Sequence, residues 1–371
     1  MINAQIEIIA IASLTAIACS LPGTFLVLRR LSMMADAISH SVILGIVVAF
    51  FLVRQIDSPF LLMSAALAGV VTVLLVEALI KTKLVKEDAA IGVTYPLLFS
   101  IAVVMISRFA TQIHIDTDAV LMGELAFAAL NRFIVAGRDI GPVAVYQIGG
   151  VMVFNILLTA LFYKEIRLAV FDEDFARVSG FSPRKMHYGL MVVTAVTTVA
   201  AFEVAGAIMV VGFIVGPAVV AAYFSKRLWK LLMLAPLVGI LASFGGYSLA
   251  HIFDVSIAGS IVSTIGIMFL FAAFFAPRGF FPSAIRKRKL KKQFQQDLLL
   301  VHLLQHELSG EVAEENNLDT VRQHFGWHNK HLELITEELG KKSYITKTKP
   351  GLLNLTSEGI KRAHKAMERK A

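Results

Sequence analysis

A carboxylate and an imidazole lie one helical turn apart in the apolar segment MMADAISHSVILG. Asp36 and His40 are separated by four positions, and at about 100° per residue this spacing places both side chains on one face of a helix. An oxygen ligand combined with a nitrogen ligand favours Mn²⁺, Fe²⁺ or Zn²⁺ over Ca²⁺ and Mg²⁺, which prefer oxygen alone, and over Cu⁺, which prefers sulfur. The pair therefore predicts a transition-metal site.

Two ligands from one chain do not complete such a site. If two copies of the chain meet with this helix at a two-fold axis, two Asp and two His side chains would surround one ion. A purely structural interpretation is also open, in which Asp36 caps a helix that starts at Ala37 and His40 hydrogen-bonds a neighbouring helix. The spacing alone does not decide between the two.

A second group of residues occupies a polar interval between two apolar segments, KEIRLAVFDEDFARVSGFSPRKMHYG. Acidic residues at 172–174 would complement the dipole at the start of a short helix, and Gly180 with Pro183 would end it. Apolar residues recur in it at helical spacing: Phe171, Phe175, Val178 and Phe181. A short amphipathic helix of this kind is suited to the groove of a soluble partner, although a solvated connector would have a similar composition.

The composition excludes a soluble enzyme. The chain has 371 residues, 57% of them hydrophobic and 17% charged, with a mean hydropathy of +0.72, whereas soluble domains average about 45–50% apolar and about 25% charged. About 20 apolar helical residues cross a bilayer. We therefore predict an all-α polytopic membrane protein with about nine transmembrane helices, the range being eight to ten. The predicted spans are 8–28, 37–53, 60–80, 91–107, 141–163, 188–202, 204–224, 231–250 and 255–277.

The charge pattern predicts three segments: a membrane domain at 1–285, a basic juxtamembrane linker at 286–292 and a second domain at 293–371. Six of the eight net positive charges lie in the linker, RKRKLKK, while residues 293–371 carry 11 basic and 11 acidic side chains. Basic residues beside a span mark the cytoplasmic side and can contact anionic lipid. We therefore expect a multi-pass protein with a cytoplasmic C-terminus and no nucleic-acid partner.

Several predicted spans contain small residues and helix breakers, among them Gly216 and Pro217. Such positions allow close helix packing, or mark breaks that survive where protein or a cavity satisfies the backbone. The pattern favours a many-helix transporter bundle. The chain contains no G-x-x-x-x-G-K-[ST] phosphate loop, so it is not expected to hydrolyse ATP by that route, and no permanent cofactor is predicted.

Six segments occur in order along the first three quarters of the chain: RRLSMMADAISHSVILG, KEDAAIGVTYPLLFSIAVVMIS, HIDTDAVLMGELAF, FDEDFARVSGFSPRKMHY, VAGAIMVVGFIVGPAVVAAY and GGYSLAHIFDVSIAGSIVS. Together they resemble the ABC-3 permeases, the membrane subunits of bacterial ABC importers for manganese, zinc and iron. The resemblance covers approximately residues 5–280.

This resemblance implies a bacterial cell-membrane permease that pairs with a second permease, identical or related. It also implies cytoplasmic ATPase subunits that supply the energy and an extracytoplasmic metal-binding protein that delivers the ion. Asp36 and His40 fall at the family's metal-coordinating gate pair. The segment containing Asp172, Phe175, Ala176 and Gly180 resembles the helix that docks into the ATPase.

The apolar periodicity of residues 293–371 predicts three helices, a β-hairpin and a last helix. This is the order of elements in a small winged-helix α+β domain. LTSEGIKRAHKAMER is similar to the segment after the wing in diphtheria-toxin-repressor-type regulators. Two lesser metal-binding hypotheses concern histidines in different parts of the chain. One places His114, Asp116 and Asp118 at the outer face, and the other places His324, His328 and His331 in the second domain.

The main interpretation is thus the membrane subunit of an ATP-driven importer of Mn²⁺, Zn²⁺ or Fe²⁺. One rival is a membrane-tethered, metal-responsive transcription regulator, but nine spans exceed what an anchor needs. Another is a secondary metal transporter driven by an ion gradient, which would work without an ATPase.

Overall fold

The computed structural model describes residues 2–54, 59–109, 125–135, 138–309, 316–349 and 351–368. The chain divides into two compact units, Met1–Gly279 and Phe280–Ala371. Each unit has its own core of buried apolar side chains.

The first unit is an assembly of long apolar helices. In the described part of the chain, nine helices are long and apolar enough to cross a membrane, which confirms the predicted all-α polytopic architecture. In chain order the elements are α1 (Ile2–Leu28), α2 (Ser32–Val53), α3 (Pro59–Lys81), α4 (Glu87–Phe109), α5 (Leu125–Ala128), β1 (Arg132–Val135), β2 (Arg138–Pro142), α6 (Val143–Leu161), α7 (Tyr163–Phe171), α8 (Glu173–Val178), α9 (Pro183–Ala205), α10 (Ala207–Phe224), α11 (Leu228–Phe253) and α12 (Ile257–Phe275).

Small residues let these helices approach closely. A Cβ atom at Gly23 would lie 1.9 Å from the carbonyl oxygen of Ile214, so α1 and α10 meet almost backbone to backbone. A buried polar contact adds to this packing, because the Asn155 Nδ2 donates to the carbonyl of Ala18 and to the Thr197 Oγ1, both at 2.9 Å. Close packing and interhelical hydrogen bonds are the usual sources of helix association in lipid.

Arg132 links the short hairpin of β1 and β2 to the first helix through one ion pair and joins the two strands through another. The Arg132 guanidinium donates to the Glu7 carboxylate on α1 at 2.6 Å and to the Asp139 carboxylate at 2.7 Å. The Arg132 hydrogen bond, aided by the Gly141 N–H, holds the pKa of Asp139 below its usual range. Because this pKa is lowered, the Arg132–Asp139 pair stabilises the hairpin fully at pH values above the usual pKa of an Asp side chain. The stabilisation is lost as the pH falls through the lowered pKa of Asp139.

The second unit is mostly helical. It contains α13 (Phe280–Ser309), α14 (Leu318–Phe325), α15 (Asn329–Lys341), β3 (Ile345–Lys349), β4 (Leu352–Leu355) and α16 (Ser357–Glu368). Its two described strands pair antiparallel and have five and four residues. So small a β component does not establish the predicted winged-helix α+β domain. The basic run 286–292 lies inside α13 and is therefore helical.

Candidate metal site and coupling segment

Asp36 and His40 form a preorganised pair on α2. The Asp36 Oδ1 lies 3.4 Å from the His40 Nε2. The helix begins at Ser32 and its N-cap is Leu31, so Asp36 lies inside the helix and the interpretation of Asp36 as a cap is wrong. The predicted span 37–53 begins five residues later than α2. Ser32 and Asp36 lower the local hydropathy, but neither of them interrupts the helix.

The pair opens onto a cavity of about 690 Å³. The Asp36 and His40 side chains are 39% and 32% exposed, and with Ser39 they supply the ionisable and hydroxyl groups of the lining. The rest of the wall is apolar and comes from α10 and α12, including Val211, Val215, Gly216, Val262, Ile265 and Phe269. An ion entering this cavity would therefore meet its charged ligands on the α2 side only.

Gly216 and Pro217 lie within α10, which continues to Phe224 without ending at them. A Cβ at Gly216 would lie 2.3 Å from the Ile265 Cγ2. The glycine therefore permits close contact with α12 at the wall of the cavity. In the described residues this position is a packing site and not an interruption of the helix.

The donor set from one chain fits a transition metal but is incomplete. Within the described ranges, no group of three or more His, Cys, Asp or Glu side chains is arranged to hold a metal ion. The proposed outer-face residues His114, Asp116 and Asp118 lie outside the described residues. A complete ion site at Asp36 and His40 therefore needs ligands from elsewhere, and a second copy would supply the same two.

The histidines of the second unit do not form the predicted group. The His324 ring contacts the His302 ring at a centroid distance of 5.6 Å, whereas the His331 ring contacts Trp327 at 5.6 Å. Gly326, in the left-handed region with φ of 61°, ends α14 before His328. The metal-sensor hypothesis for His324, His328 and His331 is thus not supported.

Two aromatic rings from α4 contact His40. The Tyr95 ring is stacked on the imidazole at 5.6 Å with an interplanar angle of 23°, and the Phe99 ring meets it edge-on at 5.9 Å and 78°. Sequence reasoning missed both residues. No signal in the sequence distinguishes them, because aromatic residues are ordinary in an apolar span.

The polar interval contains the short helix that its pattern predicts. Asp172 is the N-cap of α8, and its Oδ1 accepts a hydrogen bond from the Phe175 N–H at 2.9 Å. Ala176 is fully buried, whereas Phe175 and Val178 are 56% and 87% exposed. Gly180 follows with a φ of 85°, a conformation that favours glycine. The helix thus anchors itself through Ala176 and presents an apolar surface that is suited to a partner.

Charged residues that the sequence analysis did not assign to the site surround this segment. Arg29, at the end of α1, donates to the Glu173 carboxylate of α8 at 2.6 Å. On the adjoining helices, the Glu77 carboxylate lies 2.5 Å from the His187 Nε2 and accepts a hydrogen bond from the Tyr188 hydroxyl. Glu77 is the only charged residue in the predicted span 60–80. A lone carboxylate in an apolar span needs a partner, and this was the signal that could have identified Glu77 as a residue with an interhelical contact.

Comparisons with known proteins relate this chain to membrane subunits of metal transport systems. The ABC 3 transport family matches residues 1–276. The zinc transport system membrane protein TroD of Treponema pallidum is 36% identical over 98% of this chain and 98% of its own length. The manganese transport system membrane protein MntD of Bacillus subtilis is 39% identical over 77% of this chain and 97% of its own. Among solved structures, PsaBC from Streptococcus pneumoniae in complex with Fab matches with a TM-score of 0.63 and 26% identity, covering 78% of this chain and all of that one.

Proposed function

The chain belongs to the ABC 3 transport family, and we propose that it passes a divalent transition metal through a seam at which Asp36 and His40 face the same residues of a second permease. The chain is the membrane permease of an ABC importer for metal ions. A separate subunit hydrolyses ATP, so the chain is not itself an enzyme. The metal ion is its transported substrate.

The observation that carries the gate proposal is the Asp36–His40 pair beside an apolar cavity. Ionisable side chains within a membrane span are costly unless they are paired or face water, and they commonly mark an ion pathway. One carboxylate and one imidazole from each of two permeases would give four ligands of the types that Mn²⁺, Zn²⁺ and Fe²⁺ accept. The apolar wall of α10 and α12 would offer the ion no competing ligand.

The coupling proposal concerns α8. Its exposed Phe175 and Val178 would enter a groove of the cytoplasmic ATPase, while Asp172 and Gly180 fix where the helix begins and ends. We also propose that the basic run 286–292 and the C-terminus lie on the cytoplasmic side of the bacterial cell membrane, because basic residues beside a span favour that side and can contact anionic lipid. An extracytoplasmic metal-binding protein would deliver the ion to the opposite face.

For the second unit we propose a protein-interaction or dimer-stabilising role, with the winged-helix arrangement as its fold. Its neutral charge balance gives no general electrostatic attraction to DNA. The acidic residues Glu333, Glu337 and Glu338 lie on α15, the helix that would approach a DNA groove, and would repel phosphates. TroD matches across this region as well, because the match covers 98% of both chains. The tethered-regulator alternative therefore has no supporting observation.

Reconstitution tests the proposal and identifies the metal. The permease, purified with its ATPase and combined in vesicles with its binding protein, is expected to accumulate Mn²⁺, Zn²⁺ or Fe²⁺ only when ATP is supplied on the ATPase side. The measurement is metal content by mass spectrometry for each ion in turn. Accumulation driven by an imposed ion gradient without ATP would instead support the secondary-transporter alternative. The relatives named for zinc and for manganese make these two ions the first to compare.

A further inference from the structure

His40 lies between two different environments. On one side are the Asp36 carboxylate and the cavity. On the other are the rings of Tyr95 and Phe99, one parallel to the imidazole and one perpendicular to it. Stacked and edge-on rings at these separations are favourable aromatic geometries. Neither ring is among the residues that line the cavity, so both contact the imidazole from outside the space in which an ion would approach.

The aromatic pair is itself held in place. Phe99 packs against a buried cluster formed by Ile43, Val47 and Ala102, which joins α2 to α4 directly beyond His40. Tyr95 and Phe99 are four residues apart on α4, so both rings lie on one face of that helix and both contact the His40 ring. The position of His40 is thus set by a packed interface between two helices as well as by its contact with Asp36.

We propose that Tyr95 and Phe99 act as an aromatic clamp that positions His40 and thereby sets the selectivity of the site for transition metals over Mg²⁺ and Ca²⁺. This inference rests on the proposed role of Asp36 and His40. The nitrogen ligand is what distinguishes the site from a carboxylate site that Mg²⁺ and Ca²⁺ would also enter. If the imidazole is free to rotate away, binding depends on the Asp36 oxygens alone and this discrimination is lost.

The test is Tyr95→Leu in the reconstituted importer, with Mn²⁺ and Zn²⁺ uptake measured against rising Mg²⁺ or Ca²⁺. Loss of one aromatic contact is expected to raise the KM for the transported metal about three- to tenfold. Mg²⁺ is expected to inhibit at a correspondingly lower concentration, while the maximal rate per assembled complex stays near that of the wild type. Tyr95→Phe keeps the aromatic ring, so its KM and its resistance to Mg²⁺ are expected to be close to those of the wild type.

Two further variants distinguish positioning from general stability. Phe99→Leu removes the edge-on ring and is expected to shift the KM and the Mg²⁺ sensitivity in the same direction. Phe154→Leu removes a ring of the same size from α6, where it is half exposed, and serves as the matched control. A structural defect would lower the amount of complex and the maximal rate without changing the ratio between metals.

The clamp is overturned if Tyr95→Leu and Phe99→Leu leave KM and selectivity unchanged in an importer that requires Asp36 and His40. It is equally overturned if Tyr95→Phe is as defective as Tyr95→Leu, or if Phe154→Leu gives the same change in selectivity. Normal uptake after replacement of Asp36 and His40 themselves is a different result, because it would remove the proposed gate on which the clamp acts.

Discussion

Asp36→Asn and His40→Ala are each expected to abolish metal uptake while leaving the permease assembled with its ATPase. Either change removes one ligand type from both halves of a symmetric four-ligand site, so the ion loses two of four ligands at once. Mutation of the groups that only support a metal ligand lowers metal affinity or activity about 10–100-fold. We therefore expect loss of the ligands themselves to lower the uptake rate more than about 100-fold. The measurement is initial uptake of Mn²⁺ or Zn²⁺ in vesicles.

The control for this prediction lies on the same helix. Ser41 is buried, and its hydroxyl donates to the Ile38 carbonyl within α2 at 2.9 Å. Ser41→Ala therefore changes the helix close to the pair without touching the proposed ligands, and uptake should remain near normal. Full uptake by both Asp36→Asn and His40→Ala, with normal complex yield, would show that the pair is structural and that the ion passes elsewhere.

The dimer seam can be examined separately from transport. The chain has a single cysteine, Cys19, which is fully buried, and a Cys19→Ala background removes it. In that background, His40→Cys is expected to give a covalent dimer on mild oxidation if the two Cα atoms at position 40 come within about 7 Å of each other, which is the limit for a disulfide. A mercury or cadmium bridge would report a slightly wider seam. Neither product would form if the residues face lipid.

The spans and the short helix α8 were predictable because each depends on local chemistry. Lipid offers no hydrogen-bond partner to the backbone, so each crossing must be a long apolar helix that is visible in hydropathy. The short helix α8 was similarly visible, since acidic residues at its start and Gly180 after its end are local signals. Helix ends were less certain, and α2 begins five residues before its predicted start because Ser32 and Asp36 do not interrupt a helix.

The neighbours of the site were not predictable, because they depend on packing between distant segments. His187 and Glu77 are 110 positions apart, and no periodicity within either helix indicates that they meet. Tyr95 and Phe99 occur in an apolar span where aromatic residues are ordinary, so their contact with His40 becomes visible only when α2 and α4 are placed together. Pair spacing can predict candidate ligands on one helix, whereas the residues that pack against those candidates depend on the tertiary structure.

The ion pair between Arg29 and Glu173 is expected to link α8 to the membrane helices, and reversing either charge should uncouple ATP hydrolysis from transport. The Arg29 side chain is 16% exposed and its distance to Glu173 is 2.6 Å. The Glu173 side chain is 47% exposed, and an exposed pair contributes about 0.2–1 kcal/mol; a reversal replaces this attraction with repulsion of similar size. The resulting change of about 0.4–2 kcal/mol predicts roughly a two- to thirtyfold loss of transport per ATP hydrolysed.

The double exchange separates this pair from general charge effects. Arg29→Glu combined with Glu173→Arg restores opposite charges at the same positions, so transport per ATP should recover substantially relative to either single variant. Arg30→Glu is the matched control, because it changes the charge of the same loop without reversing the Arg29–Glu173 pair. Uptake and phosphate release are measured in the same vesicles. If the double variant is no better coupled than the single ones, α8 moves the bundle through its packing at Ala176, and the ion pair only stabilises the loop.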